Sequence, residues 1–144
     1  NQNAPIFTHA RFLPPTRLDG VKVNSSLISD GCVIGEGAVI ENSVIGLRCK
    51  IGKNVRISNS ILMGADFYQC ADELATEQSE GLPPIGIGDG SVLDGVIVDK
   101  NCRIGRKVEV VNTRPLAGDD TSVVVQDGII VVPKGTTLKD GWKS

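Results

Sequence analysis

Side chains able to do chemistry are few in this sequence, and they are spaced for binding rather than for bond making. The chain of 144 residues carries one histidine, His9, and four cysteines, Cys32, Cys49, Cys70 and Cys102. Acyl transfer needs a histidine general base aimed into a cleft, and His9 stands in a proline-containing opening stretch outside any regular pattern. A carbonic-anhydrase-like site, with three histidines around a metal, is excluded by the same count. The cysteines show no C-x-x-C spacing, so they read as small buried packing residues rather than as metal ligands or a redox pair. Cations are more suggestive. Lys100, Arg103, Arg106 and Lys107 fall within eight residues, a density of donors from which a phosphate ester can be held. Arg48 stands one place before Cys49, as Asn101 stands before Cys102; Arg11 and Arg17 are weaker candidates. Asp119 and Asp120 sit together in a polar stretch and read as solvated surface.

The elements that must position these residues come from a repeat. Ile34 to Asn59 is written again from Ile87 to Asn112, offset by 53. Aliphatic residues coincide at Ile34/Ile87, Ile40/Leu93, Ile45/Val98, Ile51/Ile104 and Ile57/Val110, in steps of six, five, six and six. That period fits neither a helix face nor an alternating strand. It fits a solenoid of hexapeptides, in which each unit is a short strand and a corner, three units close one triangular coil, and one aliphatic per unit points to the axis. Gly35, Gly37, Gly86, Gly88 and Gly90 recur with the same period, which marks them as corner residues rather than as a phosphate-cradling loop between a strand and a helix. The expected fold is therefore all-β, a left-handed parallel β-helix.

Composition agrees. Hydrophobic residues make up 40% of the chain but aromatics 3%, with Gly 17 and Pro 7, as a narrow prism filled by Ile and Val requires. A net charge of −2 argues against a nucleic-acid partner, whose phosphates call for a basic face. No apolar run approaches the ~20 residues that span a bilayer, and the first residues lack a signal-peptide pattern, so a soluble, unsecreted chain without a membrane partner is expected. In order, residues 1–20 read as an extended arm and 21–144 as the β-helix. An insertion is expected over 64–84, with one or two helical turns anchored by Leu74, and a pair of terminal strands over 122–134 around Asp127-Gly128 closes the end.

The segments PIFTHARFLPPTRL, SVIGLRCKIG, ILMGADFY, PPIGIG and VDKNCRIG follow one another as do the landmarks of one family. Together they resemble the C-terminal domain of glucose-1-phosphate adenylyltransferase, nearer the cyanobacterial and plant enzymes than the enteric ones. The resemblance implies a parent reaction, ATP plus glucose 1-phosphate giving ADP-glucose and pyrophosphate, in glycogen or starch synthesis. It assigns the Mg2+ and ATP of that reaction to an N-terminal nucleotidyltransferase domain whose Gly-rich loop this sequence lacks. No cofactor and no catalytic residue are expected here. The arm over 1–20 is then the link from that domain.

What remains for this chain, on the same resemblance, is subunit assembly and control by small anionic metabolites such as 3-phosphoglycerate, fructose 6-phosphate and inorganic phosphate or sulfate. A homo-oligomer is implied, a tetramer in the parent, in the cytoplasm or in a plastid. Lys100 and Asp99 match the lysine and aspartate of the family's IDKNARIG. Lys134 matches the lysine of GIVTVIKDA more loosely, because Pro133, Gly135 and the following TTLKDGW depart from the family pattern. With Arg48 they form the expected effector site. The alternative is a free-standing hexapeptide scaffold or an acyltransferase-like trimer, which turnover dependent on His9 would reveal.

Overall fold

In the computed structural model, which describes residues 13–112 and 122–144, the chain winds into a three-faced prism of parallel strands. The first face stacks Arg17–Leu18, Val33–Ile34, Lys50–Ile51, Gly86–Ile87, Arg103–Ile104 and Thr137–Leu138. A second stacks Lys22–Asn24, Val39–Glu41, Arg56–Ser58, Val92–Asp94 and Glu109–Val111. On the third lie Leu27–Ile28, Val44–Ile45, Ile61–Leu62, Val96–Val98 and Ile129–Val132, with Val124–Gln126 antiparallel at its edge. His9, Arg11, Asp119 and Asp120 lie outside the described residues.

One coil takes 17 residues, since Ile34 pairs with Ile51. Inward aliphatic residues of successive coils stack as ladders, with a second buried aliphatic at Val96 and Ile130 on the third face. Ile34, Ile51, Ile87, Ile104 and Leu138 fill the first face, Ile40, Ile57, Leu93 and Val110 the second, and Ile45, Leu62, Val98 and Val132 the third, all buried. At ~1.5–3 kcal/mol for each buried aliphatic side chain, these ladders are the principal source of stability. Neighbouring outward residues, such as Val33, Val44 and Ile61, stay exposed. The two sequence copies are therefore two coils apart on the same faces.

Among the described residues, every buried side-chain nitrogen or oxygen has a hydrogen-bond partner. Ser43 Oγ accepts from Ser60 N–H at 3.1 Å, and Ser60 Oγ accepts from Val96 N–H at 3.2 Å, so a buried serine column takes up amides that the corner leaves unpaired. Corners are turned in the left-handed region by Asn42, Arg48, Asn54, Asn59 and Asn101, whose φ values run from 48° to 61°. Asparagine is among the few non-glycine residues that adopt this conformation readily.

Two interruptions leave the prism. Ile51 pairs with Ile87, 36 residues on, because residues 64–84 are looped out at the corner between the third and first faces. This segment holds one helix, α1 (Ala71–Ser79), longer than the turn or two expected. Asp72 and Glu73 in its first turn suit the helix dipole, and Gly81 at φ 79° follows its end.

Both ends of the expected layout are corrected. The arm is expected to reach residue 20, yet Arg17–Leu18 already pairs with Val33–Ile34 and opens the first coil. The strands over 122–134 do meet as a hairpin at Asp127-Gly128, both at positive φ, but they do not close the end. Ile129–Val132 also runs parallel to Val96–Val98, and the prism continues through Thr137–Leu138 to the partly buried Trp142. The reason is spacing: Val132 to Leu138 is another step of six.

Cys32, Cys49 and Cys102 are buried in the ladders and Cys70 is exposed; all four are free thiols. Burial pushes the thiols of Cys32, Cys49 and Cys102 up, most strongly Cys49, which keeps them protonated and slow to react. Titration with Ellman's reagent is expected to count one fast thiol in the native chain and four after unfolding, with Cys70→Ser abolishing the fast one.

Candidate anion-binding site

The corner between the third and first faces recurs once per coil, and main-chain bonds stack its copies into one edge. Arg48 N–H donates to Asp30 O, Ala65 N–H to Leu47 O, Asn101 N–H to Gly64 O and Gly135 N–H to Lys100 O. Arg48, Asp99, Lys100 and Lys134 thus lie along a single edge whose levels are roughly 4.8 Å apart, Asp99 and Lys100 on one level, Lys134 on the next and Arg48 two levels before Lys100.

Their partners differ. Lys100 Nζ is 3.0 Å from Asp66 Oδ1, with both side chains about half exposed. Asp99 Oδ1 accepts from the Lys100 backbone N–H at 2.7 Å, so this aspartate shapes the turn that presents Lys100. Arg48 Nη1 donates to Ala65 O at 3.2 Å, fixing the root of the insertion from below. Lys134, exposed on the next level, attracts the same Asp66 carboxyl. Hydrogen bonds from Lys100 and then Asn101 hold the Asp66 carboxyl below the usual carboxylate range. The cleft walled by Arg48, Gly64, Ala65 and Asp99 encloses about 10 Å3, room for a single water.

Sequence reasoning grouped Arg103, Arg106 and Lys107 with Lys100, but the fold disperses them. Arg103 turns to the insertion, bonding Glu77 of α1 and, at 3.0 Å, Pro83 O. Its guanidinium holds the Glu77 carboxyl below the usual range. Arg106 sits at the next corner, 3.5 Å from Asp140. Between α1 and the first face lies a cavity of about 500 Å3, lined among others by Leu74, Glu77, Leu82, Ile85 and Arg106. Its charges are mixed, and Arg106 is paired with Asp140.

Asp66 and Asn101 are the members that sequence reasoning did not assign to the site. Asn101 was visible as the counterpart of Arg48, and both take the left-handed corner conformation, at φ 61° and 56°. Asp66 gave no signal, because its partners lie 34 and 35 residues on.

Residues 11–142 match the GLGC left-handed parallel beta-helix domain. The chain belongs to that family. As a GLGC-type domain it is a left-handed parallel β-helix, and the resemblance to the C-terminal domain of glucose-1-phosphate adenylyltransferase holds at the level of the family. Among solved structures, this GLGC-type domain is similar to perosamine N-acetyltransferase from Caulobacter crescentus in complex with CoA and GDP-perosamine. The identity is 13% and the TM-score 0.46, over 90% of this chain and 47% of that one. It is also similar to the acetyltransferase domain of PglB from Neisseria gonorrhoeae, at 18% identity and TM-score 0.34, over 94% of this chain and 58% of that one. The chain spans about half the length of these proteins. Among the described residues of the GLGC-type domain, no helix is long and apolar enough to cross a membrane, and no group of three His, Cys, Asp or Glu side chains is placed to hold a metal ion.

Proposed function

We propose that this chain is the regulatory and assembly domain of a glucose-1-phosphate adenylyltransferase of the cyanobacterial or plant kind, not catalytic by itself. In this reading its Lys100 edge binds small phosphorylated metabolites such as 3-phosphoglycerate or fructose 6-phosphate, and inorganic phosphate. The observation that carries the reading is the stacking of Lys100 and Lys134 on consecutive levels, with Lys100 on the Asp66 carboxylate, in a chain whose family match runs over residues 11–142. Two ammonium groups on one rigid edge suit a doubly charged phosphate ester better than a single surface lysine does. Arg48 and Asp99 act from beneath and beside, by fixing the two turns. Assembly is supported by the outward row Leu27, Val44 and Ile61, exposed apolar residues on one flat face.

Calorimetric titration with inorganic phosphate and with 3-phosphoglycerate tests the effector reading. Binding is expected to be weak, on the order of 1 mM, because the site is open to solvent. Lys100→Ala is expected to weaken it at least about tenfold, the loss of one charge-assisted contact. Equal affinity in the wild type and Lys100→Ala removes the effector assignment.

A further inference from the structure

Asp66 is received as a ligand would be. Its Oδ1 accepts from Lys100 Nζ at 3.0 Å and its Oδ2 from Asn101 Nδ2 at 3.1 Å. Its own backbone N–H donates to Asn101 Oδ1 at 2.9 Å. An ammonium and a side-chain amide are the donors that a phosphate or carboxylate ligand would take up.

We propose that Asp66 is a built-in surrogate anion, a carboxylate that fills the position an incoming phosphate must take and that has to swing out before the phosphate can bind. The proposal rests on the reading of this edge as an anion site. The geometry allows the movement at little cost to the fold. The Asp66 side chain is 44% exposed, and its main chain is held separately, through its own N–H on Asn101 and the neighbouring Ala65 N–H on Leu47 O. A side-chain rotation therefore frees Lys100 and the Asn101 amide without moving the coil.

The consequence is a threshold. An anion must do better at Lys100 and Asn101 than the resident carboxylate does, and this cost is the same for every anion. A phosphate dianion meets it more readily than a monoanion because it brings nearly a second charge. Apparent affinity is lowered by the fraction of time the site stands open, and removing the competing charge restores it.

Inorganic phosphate is titrated calorimetrically into the wild type, Asp66→Asn, Lys100→Ala and, as a control for the general field, Asp30→Asn, an exposed carboxylate near the same edge that makes no bond to Lys100. Asp66→Asn is expected to bind phosphate about tenfold more tightly than the wild type, Asp30→Asn within about twofold of it, and Lys100→Ala weakly or not at all. If Lys100→Ala loses binding but Asp66→Asn is unchanged or weaker, the surrogate role is overturned and the anion site stands. Equal tightening in Asp30→Asn overturns it as well, since the effect is then a matter of net charge. Absence of binding in all four proteins, Asp66→Asn included, overturns the site and the surrogate together.

Discussion

Ile104→Ala is expected to lower the free energy of unfolding by about 3–4 kcal/mol, measured from urea denaturation followed by circular dichroism. Ile104 is fully buried in the first-face ladder, between Ile87 on one level and Leu138 on the other. Removing three carbons there sacrifices their transfer free energy and leaves a void that neighbours cannot fill, because each is fixed by main-chain bonds of its own coil. Ile61→Ala is the matched control. It deletes the same atoms from a strand residue that is 44% exposed, and its expected cost is within about 0.5 kcal/mol. Equal costs at the two positions would mean that the inward ladders do not carry the stability.

Gly88→Ala is the second large effect, about 3 kcal/mol or more, and its cause is different. Gly88 does not have positive φ, so its backbone would accept alanine. What forbids it is stacking: an added Cβ would lie 2.4 Å from Gly105 O and 2.5 Å from its carbonyl carbon on the next coil. The coils would have to part where Gly88 N–H donates to Ile104 O at 2.8 Å. Gly128→Ala provides the contrast. That glycine has φ 78° and open space around it, so only the left-handed conformation is penalised, at about 1 kcal/mol. Thermal or urea melts of the two variants separate steric stacking from backbone strain; equal losses would refute the stacking account.

These two cases show which parts of the molecule were legible in the sequence. The inward Ile, Leu and Val positions were, because each is dictated by a local step of five or six that survives in the chain itself. The corner glycines were legible as corners, but not their two separate reasons: left-handed φ at Gly37 and Gly90, and close stacking at Gly35 and Gly88. The last coil reads in the sequence as a closing strand pair because the hairpin at Asp127-Gly128 hides the period. A signal was present in Asp140, two residues after inward Leu138 as Asp89 is two after Ile87. Asp140 Oδ1 accepts from Arg106 N–H as Asp89 Oδ1 accepts from Lys53 N–H.

The candidate site was half legible. Lys100, Asp99 and Lys134 came from resemblance to a family, and Arg48 from its place in the repeat. The dispersal of Arg103 and Arg106 was invisible, since proximity in sequence across a corner places side chains on different faces. Asp66 was invisible for the opposite reason. It meets Lys100 only because the insertion leaves at the same corner one coil earlier, and that follows from the stacking register.

The most direct test of the anion-site reading is a phosphate titration of the 15N-labelled chain followed by amide chemical shifts. Shifts that move together and saturate at Asp66, Lys100, Asn101 and Gly135, with the amides of Gly52, Gly88 and Gly105 at the opposite corner unmoved, are the predicted result. Shifts centred instead on Lys50, Ile85 and Arg106 around the 500 Å3 cavity, or scattered over all lysines and arginines without saturation, would contradict it.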